Sequence, residues 1–253
     1  MIATRDFLHE QDEKLTQRIF SETFFKSWVD RLHTGGLDKV CDYVYGASLP
    51  EIPQGSLTVM CDIACQEFGM ESVALRQTRN YEPEVLVVGY NTPSILITDS
   101  LIDCADEEIL QARLYAAAAA IAAGHHKLKF FIWAAENMSG VAGLPIFGKA
   151  ILAVLYEWNR VRQFSLDRAV LLATGDFSLA LKNILFGVVP NEILKNFDFG
   201  TNADTFNEQM RRYFGHDDPA QLVGKIFGYL TDYSWLPRRY DELKKFQGRR
   251  GLQ

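Results

Sequence analysis

The sequence predicts one mixed α+β domain dominated by helix, spanning residues 1–253. Three observations predict it: apolar residues recur at helical spacing over about 1–70, short β-rich runs fill 71–100, and helical patterning returns over 101–253. No internal repeat, low-complexity linker or break in composition marks a second domain. With 48% hydrophobic residues a chain of this length can bury one sizeable core.

From Asp12 to Leu32 the apolar residues Leu15, Ile19, Phe20, Phe24, Trp28 and Leu32 keep one helical face, and Gly35-Gly36 stops it. Pro50 and Pro53 punctuate a loop before a second helical stretch, Ser56 to Phe68, which Gly69 closes. The period then changes. The runs Ser72 to Thr78, Glu84 to Val88 and Ser94 to Thr98 are β-rich, and turn signals at Asn80 to Pro83 and Gly89 to Pro93 separate them. They are read as three strands of one small sheet.

Beyond Asp103 the acids Asp106, Glu107 and Glu108 suit the first turn of a helix, where the backbone dipole favours negative charge. Further helices are expected at about 147–174, 177–186, 202–213, 219–230 and 238–246. Asp218-Pro219 opens one of these with an N-cap and a proline at the first helical position.

A formal net charge of −6 is mild, and it gives no reason to expect nucleic acid or an anionic membrane as partner. The basic run from Arg238 onward reads as a solvated helix face. Four cysteines, Cys41, Cys61, Cys65 and Cys104, are too few and too irregular for a disulfide framework, so reduced, mostly buried thiols are expected. The start, MIATRDFLHEQDEK, has no apolar stretch of signal-peptide length, which points to the cytoplasm. Gly140 to Trp158 is apolar enough to suggest a membrane span, but it carries Lys149 and Glu157 and is interrupted by Pro145, so a buried helix is expected.

The most specific stretch is SILITDSLIDCADEEILQARLYAAAAAIAAGHHK, Ser94 to Lys127, where the third strand feeds a long helix. It resembles HtpX-like and minigluzincin metallopeptidases, in which a strand, a turn and an acidic helix start lead into "LRAVLAHELGHIxxGH". With the closing Gly-His of that pattern on Gly124-His125, Leu110, Leu114 and Ile121 fall in step, and the zinc-binding His-Glu-x-x-His lands on Ala116 to Ala120. That motif works because two histidines one turn apart grip a zinc ion while the glutamate serves as base to the bound water. Alanines at Ala116, Ala117 and Ala120 can do neither.

Tyr156 to Asp176 resembles the family's "W-x-R-x-x-E-x-x-x-D-R-A-x-L-x-A" helix, with Trp158, Arg160, Asp167, Arg168, Ala169, Leu171 and Ala173 in place. The resemblance puts Gln163 where the family carries its third zinc ligand, and an amide is a poor substitute for a carboxylate. Asp167 matches the residue that supports a zinc-bound histidine. Having no histidine to orient, it is expected to be buried and paired with Arg168 or Arg160, or to cap backbone N–H groups. Ser234 to Phe246 is similar to the late "T-H-P-x-x-x-x-R-[IL]" segment, with Pro237 and Leu243 matched, Leu236 in place of the histidine and Glu242 in place of the arginine. The opening Phe7-x-His9-x-x-Asp12 resembles the start of the soluble members.

The resemblance implies a zincin-like metallopeptidase fold, a small three- or four-stranded sheet packed on an active-site-type helix, from which catalysis and metal have been lost. No cofactor is expected. The old substrate groove, placed between the third strand and the alanine-rich helix, is left to bind a peptide or protein partner, since strand addition needs backbone groups and not zinc. The alternative is an active metal-dependent peptidase or hydrolase with ligands outside this pattern.

Other candidates are weaker. His125 and His126 diverge by about 100° if helical, too far to share a metal easily, and are expected beside a helix end where a partly charged imidazole favours the dipole. His9, His33 and His216 are scattered. Gly140, Gly143 and Gly148 fit no phosphate-binding spacing and suggest a flexible loop beside the cleft.

Overall fold

Helices and one small sheet follow one another along the chain in the computed structural model, which describes residues 1–42, 49–79, 82–137, 147–186, 194, 199–214 and 236–251. The helices α1 (Thr4–Phe7), α2 (Glu10–Ser21), α3 (Thr23–Thr34), α4 (Leu37–Asp42) and α5 (Ser56–Glu67) come first. The strands β1 (Leu75–Thr78), β2 (Val85–Val88) and β3 (Ser94–Thr98) follow. Then come α6 (Asp99–Cys104), α7 (Glu107–Ala122), α8 (His125–Asn137), α9 (Phe147–Thr174), α10 (Phe177–Leu185), α11 (Phe199–Phe214) and α12 (Leu236–Arg250). The helix expected at 219–230 with its Asp218-Pro219 start, and the glycines Gly140 and Gly143, lie outside the described residues.

The strand order is β1-β3-β2, so the last strand in sequence is the central one. Its residues are all buried, as its nearly continuous apolar run, Ser-Ile-Leu-Ile-Thr, requires of a strand covered on both faces. β1 lies parallel to it, with Leu75 opposite Ile95, and β2 antiparallel, with Val85 opposite Ile97 and Val88 opposite Ser94. The β2–β3 turn depends on Gly89 at φ +89, and the Asp42 carboxylate accepts from the backbone N–H groups of Tyr90 at 2.5 Å and Asn91 at 3.2 Å. A Cβ on Gly89 would stand well inside contact distance of the Thr92 carbonyl oxygen. Gly89→Ala is therefore expected to destabilise by at least the roughly 1–3 kcal/mol that a forced left-handed backbone costs. Urea melts check this, and an unshifted midpoint would show that the turn tolerates another shape.

Side chains set the helix starts. Thr98 Oγ1 accepts from Leu101 N at 3.3 Å to open α6, Asp106 Oδ1 from Ile109 N at 2.9 Å to open α7, and Asp176 Oδ1 from Leu179 N at 3.0 Å to open α10. The single helix expected from Asp12 to Leu32 is two, broken at Glu22, where ψ is 123°. Ser21 Oγ donates to Arg18 O at 2.8 Å, competing with the helical ladder. The turn also lets Phe25 meet Phe131 edge-on at 5.0 Å.

α9 is the spine that joins two apolar clusters. Its first half gives Leu155 and Trp158 to a cluster with Phe25, Leu128, Phe130 and Phe131, and its second half gives Ala169, Val170 and Leu171 to the larger core around the sheet, α5, α7 and α10. Ala117 to Ala120 are buried on α7, which packs against α9 because such short side chains let two helices approach closely. Cys61 and Cys65 are free thiols buried on α5. Among the described residues, no helix is long and apolar enough to cross a membrane.

Candidate functional site

A cleft of about 340 Å³ opens where α7, α9, β2 and the start of α8 converge. Its floor comes from one stripe of α7, Arg113, Ala116, Ala117 and Ala120, spaced three and four residues apart so that they share a face. α9 supplies the facing wall through Asn159, Arg162, Gln163, Leu166 and Asp167. Glu84 to Val87 of the β2 segment form the rim. The positions matched to a peptidase's two histidines and third ligand thus border one space: Ala116, Ala120 and Gln163 are all at the cleft. Among the described residues no group of three or more His, Cys, Asp or Glu side chains is arranged to hold a metal ion.

Leu236 is not at this cleft. It is 2% exposed and belongs to the large core at the start of α12. Arg168 also looks away from it, with its guanidinium 4.8 Å above the Phe246 ring. Glu242, aligned with the family's late arginine, instead accepts from Lys245 at 2.9 Å and stands 3.3 Å from His9 Nε2.

Asp167 is buried, but its partner is neither Arg168 nor Arg160. Arg239 grips it with a two-toothed fork, Nε to Oδ2 at 2.8 Å and Nη2 to Oδ1 at 2.6 Å. α12 brings that arginine back across the second half of α9. Arg160 stands 3.4 Å from Glu157 on its own helix.

The groove expected between the third strand and the alanine-rich helix is also relocated. β3 is flanked on both sides, so it has no edge to offer, and the rim of the cleft is β2. Thr98 N donates to Glu84 O at 3.2 Å, and antiparallel pairs alternate between bonded and non-bonded. Leu86 and Val88 therefore face β3 with their backbone groups, while those of Val85 and Val87 face outward. Among the described residues no strand covers that outer side.

His125 and His126 are at the start of α8, just past Gly124 at φ +71, and both are buried. They stand beside Gly124 just past the end of α7, as expected, but they also form the first turn of α8, whose dipole disfavours a cation and removes the expected gain. Burial, with Lys127 adding to it, pushes His126 down to about 4, so it is neutral near neutral pH. His125 Nε2 lies 3.0 Å from Asp12 Oδ2, and its Nδ1 has no hydrogen-bond partner among the described residues. Asp12 is 0% exposed and also accepts from Trp158 Nε1 at 3.0 Å and Ser165 Oγ at 2.5 Å. Burial opposes its ionisation, yet His125, Ser165 and Trp158 outweigh burial and hold the carboxyl below its usual range.

Sequence reading missed Arg113. It lines the cleft, its Nη2 donates to the carbonyls of Asn183 at 3.2 Å and Phe186 at 3.1 Å, and its guanidinium lies 5.2 Å over the Phe186 ring. The available signal was its place three, four and seven residues before the cleft alanines. Compared with known proteins, the chain matches no family model, no curated protein and no solved structure.

Proposed function

We propose that this chain is a non-catalytic protein of zincin-like arrangement, a pseudopeptidase that binds an extended polypeptide as an added strand on the outer side of β2. The observation that carries the reading is the outer edge of β2, which no strand pairs among the described residues, with Val85 and Val87 bordering a cleft floored by alanines. Strand addition uses such groups for affinity and leaves the neighbouring pocket to select side chains. Ala116 and Ala120 offer no lone pair and Gln163 offers an amide, which supports binding over hydrolysis.

One observation favours the second reading, an active hydrolase with unrecognised ligands. His125 borders the cleft with its Nε2 3.0 Å from the Asp12 carboxylate, the kind of pairing that orients a general base. It lacks a nucleophile or a metal cluster beside it among the described residues.

The test is Val87→Pro. Proline removes an outward donor and leaves the ladder to β3 intact, a position edge strands tolerate. Binding of a library of capped, extended heptapeptides to the parent is expected, with a loss of at least about tenfold in the variant, since a lost hydrogen bond and a steric block act together. Equal binding by Val87→Pro overturns strand addition. Stoichiometric zinc in the dialysed parent, with peptide cleavage, would favour the hydrolase.

A further inference from the structure

The groove beside β2 changes character along its length. At the α7–α9 end its walls carry four cationic side chains, Arg113, Lys129, Arg162 and Arg239, against two carboxylates, Glu84 and Asp167. Arg239 and Asp167 neutralise each other at 2.6 Å. Beyond Leu86 and Val87 the groove continues as a second hollow of about 240 Å³, walled by Leu96, Phe130 and Trp133.

Arg113 is the group whose environment calls for a partner. Its two hydrogen bonds go to neutral carbonyls, and among the described residues no carboxylate lies within ion-pair distance of it. Its Nε is buried without a hydrogen-bond partner. Burial and the neighbouring Arg239 push its guanidinium down to about 10, with Asp167 and Glu84 opposing. A guanidinium in this position gains more from an arriving carboxylate than a solvated one does, because the cost of burying it has already been met in the fold.

We infer that the cleft selects an extended peptide bearing an acidic side chain, whose carboxylate seats on Arg113 while a large apolar side chain of the same peptide enters the hollow beside Phe130 and Trp133. This rests on the strand-addition reading above and adds the substrate class. Backbone pairing with β2 gives affinity that is blind to sequence, and the two unlike halves of the groove supply the selection.

The probe is a set of acetylated, amidated heptapeptides whose central residue is Glu, Gln or Lys and whose other positions are randomised among Val, Thr, Leu and Ser. Capping removes terminal charge, so any preference reports the side chain. Glu peptides are expected to bind at least about tenfold more tightly than Gln peptides, the worth of one charge-assisted pair, and Lys peptides more weakly still. Added salt should shrink that preference. Arg113→Gln should erase the difference between Glu and Gln peptides; if that variant does not fold, the comparison on the parent protein decides alone. Equal binding of all three sets, lost in Val87→Pro, overturns the acidic preference and leaves strand addition standing. Binding of none overturns both.

Discussion

Asp167→Ala is expected to cost about 3–5 kcal/mol of folding stability, because it strips the partner from a buried charge. Asp167 is 2% exposed on its side chain and Arg239 14%, so water cannot readily replace what the fork supplies. The arginine left behind would stand beside Arg113 in a cleft that already has an excess of positive charge. Denaturant melts of Asp167→Ala, Arg239→Met and the double variant separate the pair's coupling from the cost of orphaning either member. The double variant should be more stable than Asp167→Ala, since an apolar side chain of similar length is cheaper here than an unpaired guanidinium. An Asp167→Ala protein as stable as its parent would show that the fork is not formed in solution.

That pair also marks how far the sequence could be read. Burial of Asp167 was expected from the resemblance, which sets it beside the alanine-rich helix, where a carboxylate must be paired. The partner was not, since Arg239 lies 72 residues further on and periodicity carries no information about which arginine returns to which helix. The strands were legible because alternation and turn residues are local. Their order was not, and with it went the position of the groove. β3 looks like a rim if strands are taken in chain order, whereas its five buried residues mark it as central.

The break at Glu22 was hidden because the apolar face continues in step across it. Arg113 did not stand out because the metal-ligand pattern singles out the alanines and assigns no role to the arginine on the same stripe. Local chemistry thus exposed the elements, the resemblance singled out Ala116, Ala120 and Gln163, and long-range pairing decided what those residues face.

Asp12→Ala is expected to match the loss at Asp167, about 3–5 kcal/mol, because it removes a buried charge that several donors share. Trp158 Nε1 and Ser165 Oγ both donate to it, and His125 Nε2 stands 3.0 Å away. Thr16 Oγ1 completes the set at 3.3 Å. These partners come from α2, α8 and α9, so the carboxylate ties the N-terminal helices to the spine and fixes the ring of His125 at the cleft. The milder Asp12→Asn keeps the shape and isolates the charge. Since the folded carboxyl is held below the usual value of 3.8, its charge contributes stability in full above that value and loses it as pH falls through the lower, folded one. The stability gap between the parent and Asp12→Asn should therefore be constant near neutral pH and close as the solution is acidified below about 3.8. A gap that persists unchanged in acid would mean that Asp12 acts through shape alone, and that the charge at the foot of His125 has no part in holding it.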